Sequence, residues 1–187
     1  MILYSTSLLL HVLGALGLFI GLGLEWLGIR QINNVNTLGG AKEWTNFLAS
    51  LKHLFSISGG LVLFTGLYMA IAVWKDAAWI IIAFIALVFL SINGAVFTGK
   101  RIAFLQKQID LENDNLSQKL LELLHDQKLL KYFQLRSTIA LGVIFLMTFK
   151  PEIITSLVAI IAAFIIGYIP LFSFRKSPEP DLAEADE

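Results

Sequence analysis

The stretch that decides the fold is residues 5–29, STSLLLHVLGALGLFIGLGLEWLGI. It is long enough to cross a bilayer, because a hydrocarbon core of roughly 30 Å needs about 20 mainly apolar residues in a helix. A stripe with the spacing of one helix face runs along it and is rich in glycine, which lets another helix approach closely; its members are His11, Gly14, Leu18, Gly21, Glu25 and Gly28. We expect this face to carry the helix contacts of the bundle, and also to permit a homo-oligomer.

The composition places the chain in a lipid bilayer and excludes several classes of protein. Of its 187 residues, 57% are hydrophobic, and the formal net charge is zero. A neutral chain gives no reason to expect a nucleic-acid partner. The absence of cysteine excludes disulfides, thiolate metal sites and a cysteine nucleophile. The sequence also lacks a glycine-rich phosphate loop, an HExxH motif and the paired carboxylates typical of a hydrolase.

Four further apolar stretches follow the first span, at about 54–74, 77–99, 129–149 and 153–174. They predict an all-α polytopic membrane helical bundle with five transmembrane helices, in which a four-helix core packs around span one and the fifth helix is C-terminal. A polar loop is expected at 30–53, and Lys75-Asp76 is a tight connection that makes spans two and three antiparallel neighbours.

The predicted bundle takes up residues 1–176. Within it, residues of about 102–136 form an amphipathic helical hairpin on the cytoplasmic side, where leucines alternate with charged residues at helical spacing. The segment 177–187 is acidic and proline-rich, which predicts a disordered tail.

The distribution of positive charge predicts the orientation of the five spans. With five crossings, the first loop, the long loop and the C-terminus share one side, and twelve of the fourteen Lys and Arg residues lie there. Because cytoplasmic loops are enriched in these residues, we expect the N-terminus outside and the C-terminus inside, in the bacterial cytoplasmic membrane.

The outer third of the bundle contains the candidate cofactor ligands. His11 lies early in span one, while Met69 and Met147 lie late in spans two and four, so all three are expected near the outer surface. Imidazole and thioether groups suit haem iron or Cu(I). The alternative is that His11 is hydrogen-bonded to a neighbouring helix and that the methionines fill apolar space.

The inner third contains the candidate buried polar groups, namely Glu25, His53, Asn93 and Arg136. A charged side chain inside hydrocarbon costs at least about 2.5 kcal/mol on insertion scales, so such groups are expected to pair. Glu25 with Arg136 is the preferred pair, and Glu25 with His53 or Lys52 is the alternative. The pair has either a structural role, in which it holds span four in the bundle, or a role in proton transfer.

Four segments resemble a group of small bacterial integral membrane proteins: LLLHVLGALGLFIGLGLEW, LKHLFSISGGLVLFTGLYM, GAVFTGKRIAFL and LRSTIALGVIFLMTFKP. The group includes the HemJ-type protoporphyrinogen oxidases, the membrane domain of CopD-type copper-resistance proteins and related uncharacterised families. In the HemJ-type pattern a histidine early in span one is associated with haem, and His11 falls at that position. The resemblance therefore implies a helical bundle with a haem b site at His11.

The chain departs from the HemJ-type pattern in two motifs. The histidine–lysine element that enters span three is replaced by WKDAAWIIIAF, and the Asn-Glu-Xaa-Pro element that opens span four is replaced by QLRSTIAL. The oxidase activity is therefore not transferred to this chain. Two hypotheses follow: a membrane protein that binds haem b or copper for electron transfer or metal handling, or a non-catalytic structural or partner-binding membrane protein without a cofactor.

Overall fold

The computed structural model describes the backbone of residues 2–74, 77–112 and 116–173, and side chains as far as residue 169. This part of the chain is helical and contains no strand, which confirms the all-α class. The elements are α1 (Ile2–Ile32), α2 (Leu38–Val73), α3 (Ala78–Asn93), a π-helical segment (Gly94–Gly99), α4 (Lys100–Asp110), α5 (Gln118–Leu124), α6 (Lys128–Phe149) and α7 (Ile153–Ser173). The predicted Lys75-Asp76 connection and the acidic tail at 177–187 lie outside the described residues.

Four helical stretches are long and apolar enough to cross a membrane: Ile2–Ile32, Leu38–Val73, Ala78–Asp110 and Gln118–Phe149. They support the prediction of a multi-pass membrane protein. The apolar helix Ile153–Ile169 is shorter.

Helix α2 starts earlier than the sequence suggests, because most of the predicted polar loop at 30–53 is helical. The Thr37 hydroxyl caps the helix by accepting a hydrogen bond from the Gly40 N–H at 3.2 Å. Beyond the cap, Ala41, Leu48 and Leu51 are buried. The burial of these apolar side chains against neighbouring helices stabilises a continuous helix of 36 residues.

The glycine stripe of α1 packs against α2 of the same chain. A Cβ atom built at Gly14 would lie 2.9 Å from the Ser58 carbonyl oxygen, and one at Gly21 would lie 2.9 Å from a ring carbon of Phe55. The glycines therefore let two antiparallel helices approach closely. Since α2 covers this face, a homo-oligomer through the glycine face would require α2 to move away, and the homo-oligomer stays a prediction.

Helix α6, rather than α1, contacts most of the remaining helices. It packs extensively on α7 and α3 and also contacts α1, whereas the main contact of α1 is with α2. A Cβ atom built at Gly142 would lie 3.1 Å from the Ala163 Cβ, so α6 and α7 also meet at a glycine. The prediction that the core helices surround span one is replaced by an α1–α2 pair joined through α6 to α3 and α7.

The largest hydrophobic cluster lies at one end of the bundle, which we call the polar end. It joins the last turns of α1, the first half of α2, α4, α5 and the first turn of α6. Leu105 and Leu124 are at most 1% exposed there. Side-chain contacts join α4 to α5 and to the segment after it. Arg101 of α4 donates to the Leu123 carbonyl at 3.1 Å and to Asp126 at 3.2 Å, and Lys128 also pairs with Asp126. The helices therefore form a packed layer, the polar-end layer, where the sequence predicts an amphipathic hairpin.

The π-helical segment Gly94–Gly99 connects α3 and α4 without a break in the helical path. A π-helix inserts an extra residue in a turn, and such segments occur frequently at functional sites. Asn93, at its start, and Thr98, near its end, are each 5% exposed. The irregular turn therefore places polar side chains in the interior of the bundle.

Candidate functional site

A buried ion pair between Glu25 and Arg136 is the most polar feature inside the bundle. The Arg136 Nη2 donates to the Glu25 Oε2, and the two side chains are 8% and 3% exposed. Glu25 belongs to α1 and Arg136 to α6, so the pair joins the two halves of the bundle. Each charge compensates the other in a region where an isolated charge is costly.

The Arg136 guanidinium also contacts two further helices. Its central carbon lies 5.6 Å from the centre of the Phe55 ring on α2, a distance typical of a cation–π contact. A Cβ atom built at Gly94 would lie 2.6 Å from the Arg136 Nη1, so the guanidinium lies directly against the start of the π-helical segment. Arg136 therefore joins α1, α2, α6 and the π-helical segment at one point.

Three buried polar atoms, on Arg136 and at the two ends of the π-helical segment, have no hydrogen-bond partner among the described residues: the Asn93 Oδ1, the Thr98 Oγ1 and the Arg136 Nε. Two of them can accept a hydrogen bond and the third donates one. Asn93 adjoins Gly94, which contacts Arg136. Unsatisfied groups of this kind are rare in protein interiors and call for a physical explanation.

The structure brings together three of the four polar residues that the sequence nominates for the inner third. Glu25 and Arg136 form the preferred pair, and Asn93 lies beside the residue that Arg136 contacts. His53 differs, because its side chain is exposed and Glu25 pairs with Arg136 instead. Phe55 was not predicted as part of the site. Aromatic residues are common in membrane spans, so only the tertiary contact with Arg136 distinguishes this one.

His11 lies at the opposite end of the α1–α2 pair and contacts α2. Its Nδ1 is 3.1 Å from the Thr65 Oγ1, and the Thr65 hydroxyl donates to the Leu61 carbonyl at 2.5 Å. Because that hydroxyl proton is already used, the Thr65 oxygen is an acceptor for His11. In the tautomer that satisfies this contact, the Nδ1 carries the proton and the Nε2 is the basic nitrogen of the ring.

The two methionines that the sequence groups with His11 lie on different helices. Met69 is buried on α2, one turn beyond Thr65, and Met147 is half-buried on α6. The contacts of the His11 ring come from Val62, Thr65 and Gly66 of α2. Within the described ranges, no cluster of three or more His, Asp or Glu side chains is arranged to hold a metal ion.

The arrangement of these groups separates the bundle into two regions with different chemistry. The Glu25–Arg136 site is buried, charged and contacted by four elements, while the His11 site is half-buried and formed by two helices. Comparison of the chain with protein-family models, with curated proteins and with solved structures gives no match. The resemblance to the HemJ-type and CopD-type proteins therefore stays a prediction from the quoted segments.

Proposed function

We propose that this chain is a five-span protein of the bacterial cytoplasmic membrane that binds a protein partner through its polar-end layer. The observation that carries the proposal is the two-sided character of α4. One face, formed by Ile102, Leu105 and Ile109, is buried in the layer. The opposite face exposes Phe104 and Leu111, at 42% and 69%.

The exposed face of α4 has the composition of a protein contact surface. Phe104 and Leu111 are seven residues apart, so they share one side of the helix, and Lys107 lies between them on the same side. Large apolar side chains flanked by charge are typical of interaction sites. The rigid layer beneath, with Arg101 bonded to the Leu123 carbonyl and Asp126, holds this face in one conformation.

The charge distribution supports a cytoplasmic position for the layer. The basic side chains at this end include Lys52, Lys100, Arg101, Lys107, Lys119 and Lys128. At the opposite end, Lys150 packs its ammonium 4.4 Å from the Trp74 ring centre. The positive-inside rule then gives the N-terminus outside and, with α7 as a fifth span, the C-terminus inside.

Photo-cross-linking tests the proposal in native membranes. A photoreactive amino acid at Lys107 is expected to give a discrete cross-linked species, because the neighbouring Phe104 and Leu111 contact the partner. The matched control carries the same group at Glu43, an exposed position of α2 in the same layer. Phe104→Asp with Leu111→Asp is expected to abolish the species, and equal cross-linking from both positions would contradict a specific contact on α4.

A second candidate function is haem b or copper binding at His11, and the His11–Thr65 hydrogen bond favours it. A metal-ligating histidine commonly donates its second ring nitrogen to a neighbouring group, which fixes the ring orientation. Here the Nδ1 donates to Thr65, which leaves the Nε2 for the metal. Met69 or Met147 would serve as the second ligand, with the protein then acting in electron transfer or metal handling.

Visible absorption spectra decide this second candidate. Purified protein in the oxidised and reduced states is expected to give a Soret band that His11→Ala removes and that Met69→Leu or Met147→Leu shifts. His53→Ala is the matched control, since His53 is exposed near the middle of α2, away from Thr65. A featureless spectrum, together with no copper by elemental analysis, would rule the candidate out.

A further inference from the structure

We propose that the interior of the bundle contains a hydrated site at the π-helical segment, in which water is held by Asn93, Thr98 and Arg136. The ligand is water itself, bound next to the Glu25–Arg136 pair. This role is separate from partner binding, which rests on the exposed face of α4.

The first observation concerns the Thr98 hydroxyl. Five other threonines in helices donate their hydroxyl to the carbonyl four residues earlier, namely Thr6, Thr45, Thr65, Thr138 and Thr148. Thr98 is 5% exposed and has no such bond within the described chain. The π-helical turn around it changes the position of the preceding carbonyls. Its hydroxyl is therefore available to another partner.

The second observation is that the π-helical segment and the arginine that contacts it carry both unpartnered hydrogen-bond acceptors and an unpartnered donor. Asn93 and Thr98 offer unpartnered oxygens, and Arg136 offers an unpartnered Nε–H, all in residues at least 94% buried. Asn93 and Thr98 are five residues apart, which is about one π-helical turn, so they lie near the same side of the segment. Arg136 touches this segment at Gly94.

Hydration is the physical solution that satisfies all three groups. A buried water commonly makes about three hydrogen bonds and bridges polar groups that lack protein partners. It can accept from the Arg136 Nε and donate to the oxygens of Asn93 and Thr98. Without it, each group would carry the desolvation cost of an unmade hydrogen bond.

Nuclear magnetic resonance on protein labelled with ¹⁵N-arginine tests the proposal directly in lipid nanodiscs. The chain contains four arginines, and Arg136→Lys identifies the Arg136 signal. A cross-peak between the Arg136 Nε–H and water is expected, and Thr98→Val or Asn93→Leu should weaken it. Arg30, which is exposed at the end of α1, is the internal reference for an Nε–H in contact with bulk water. A protected Nε–H signal without a water cross-peak would overturn the proposal.

Thermal unfolding gives an independent test, because the sign of the change in Tm caused by Thr98→Val depends on whether water is bound. With water bound, Thr98→Val removes a partner from a satisfied network, and the Tm is expected to fall by roughly 2–4 °C. Thr45→Val is the control, because Thr45 is 1% exposed and its hydroxyl bonds only the carbonyls of its own helix. An unchanged or raised Tm for Thr98→Val, relative to this control, would mean that the hydroxyl is dry and unsatisfied.

Discussion

Arg136 and Glu25 are 111 positions apart in the sequence, yet their side chains form a buried ion pair between α6 and α1. The same guanidinium lies over the Phe55 ring and against Gly94. One side chain thus fixes the relative position of the α1–α2 pair and the helices grouped around α6. Substitutions of Arg136 or Glu25 should therefore alter the packing of both groups of helices, which makes this pair the first target for mutagenesis.

Removal of one member of the pair is expected to destabilise the protein strongly. Arg136→Met leaves Glu25 buried without a counter-charge, at a cost of about 3–5 kcal/mol. The double variant Arg136→Met with Glu25→Leu removes both charges and should recover most of this loss. Unfolding curves of the two variants in lipid nanodiscs measure the difference. Equal stability of the single variant and the wild type would contradict a paired, buried carboxylate.

The matched control for the buried pair is the exposed pair Lys42–Asp110. Its nitrogen and oxygen are 3.6 Å apart, and the side chains are 63% and 64% exposed. Asp110→Asn is expected to change the free energy of unfolding by no more than about 1 kcal/mol, because solvent screens such pairs. The contrast separates the effect of burial from the effect of charge removal.

Gly94→Ala tests the close contact between the π-helical segment and Arg136. The added Cβ would lie 2.6 Å from the Arg136 Nη1, so the guanidinium must shift from its place beside Glu25. A loss of about 1–3 kcal/mol is expected, as for overpacked sites. Gly23→Ala is the control, because a Cβ there meets nothing within 4 Å, and alanine favours the helix by about 0.5–1 kcal/mol. Similar unfolding curves for both variants would disprove the contact.

The glycine stripe of α1 predicts a specific result for oligomerisation. Gly14→Ile should destabilise the chain, because the side chain meets the Ser58 carbonyl of α2. The mass of the protein in detergent, measured by light scattering, should stay that of the wild type. A change of oligomeric state without a loss of stability would instead show that a second copy, and not α2, packs on this face.

The polar-end layer is expected to contribute a large share of the stability. Leu105→Ala truncates a side chain that is 0% exposed, at a cost of about 2–5 kcal/mol. Leu157→Ala, on the exposed side of α7 with 52% exposure, is the matched control and should cost much less. Thermal unfolding measures both. Limited proteolysis of the first variant should cut within the layer, and resistance equal to the wild type would show that Leu105 does not stabilise it.

The helical class and the membrane character could be predicted from the sequence because apolar run length is a local property. The Glu25–Arg136 pair could be nominated for a similar reason: few charged residues lie inside spans, and each needs a partner. The neighbours of α1 could not be predicted, because its glycine face fits several helices equally well. His53 was nominated from its position at the start of a predicted span, but α2 extends beyond it on both sides and leaves it exposed.

Two features of the site escaped prediction because they depend on non-local contacts. The back-bonded Thr65 beside His11 is one residue of a long apolar helix, and only the α1–α2 packing selects it. The π-helical turn is also invisible in a hydrophobic pattern, since Gly94–Gly99 reads as the continuation of an ordinary helix. Its presence decides which side of the segment Thr98 occupies.

The π-helical segment between α3 and α4 changes the rotation of the continuous helix about its axis, so that α3 and α4 can bury different sides. Helix α3 must turn its buried side toward α6, while α4 must turn Ile102, Leu105 and Ile109 toward the polar-end layer. One residue of an α-helix corresponds to a rotation of about 100°, so the extra residue sets the angle between these two sides. Deletion of one residue within the segment would restore a regular helix at nearly the same angle, whereas a regular helix through all six residues would turn the apolar side of α4 away from the layer. The extra residue and the wider turn therefore compensate each other at this point.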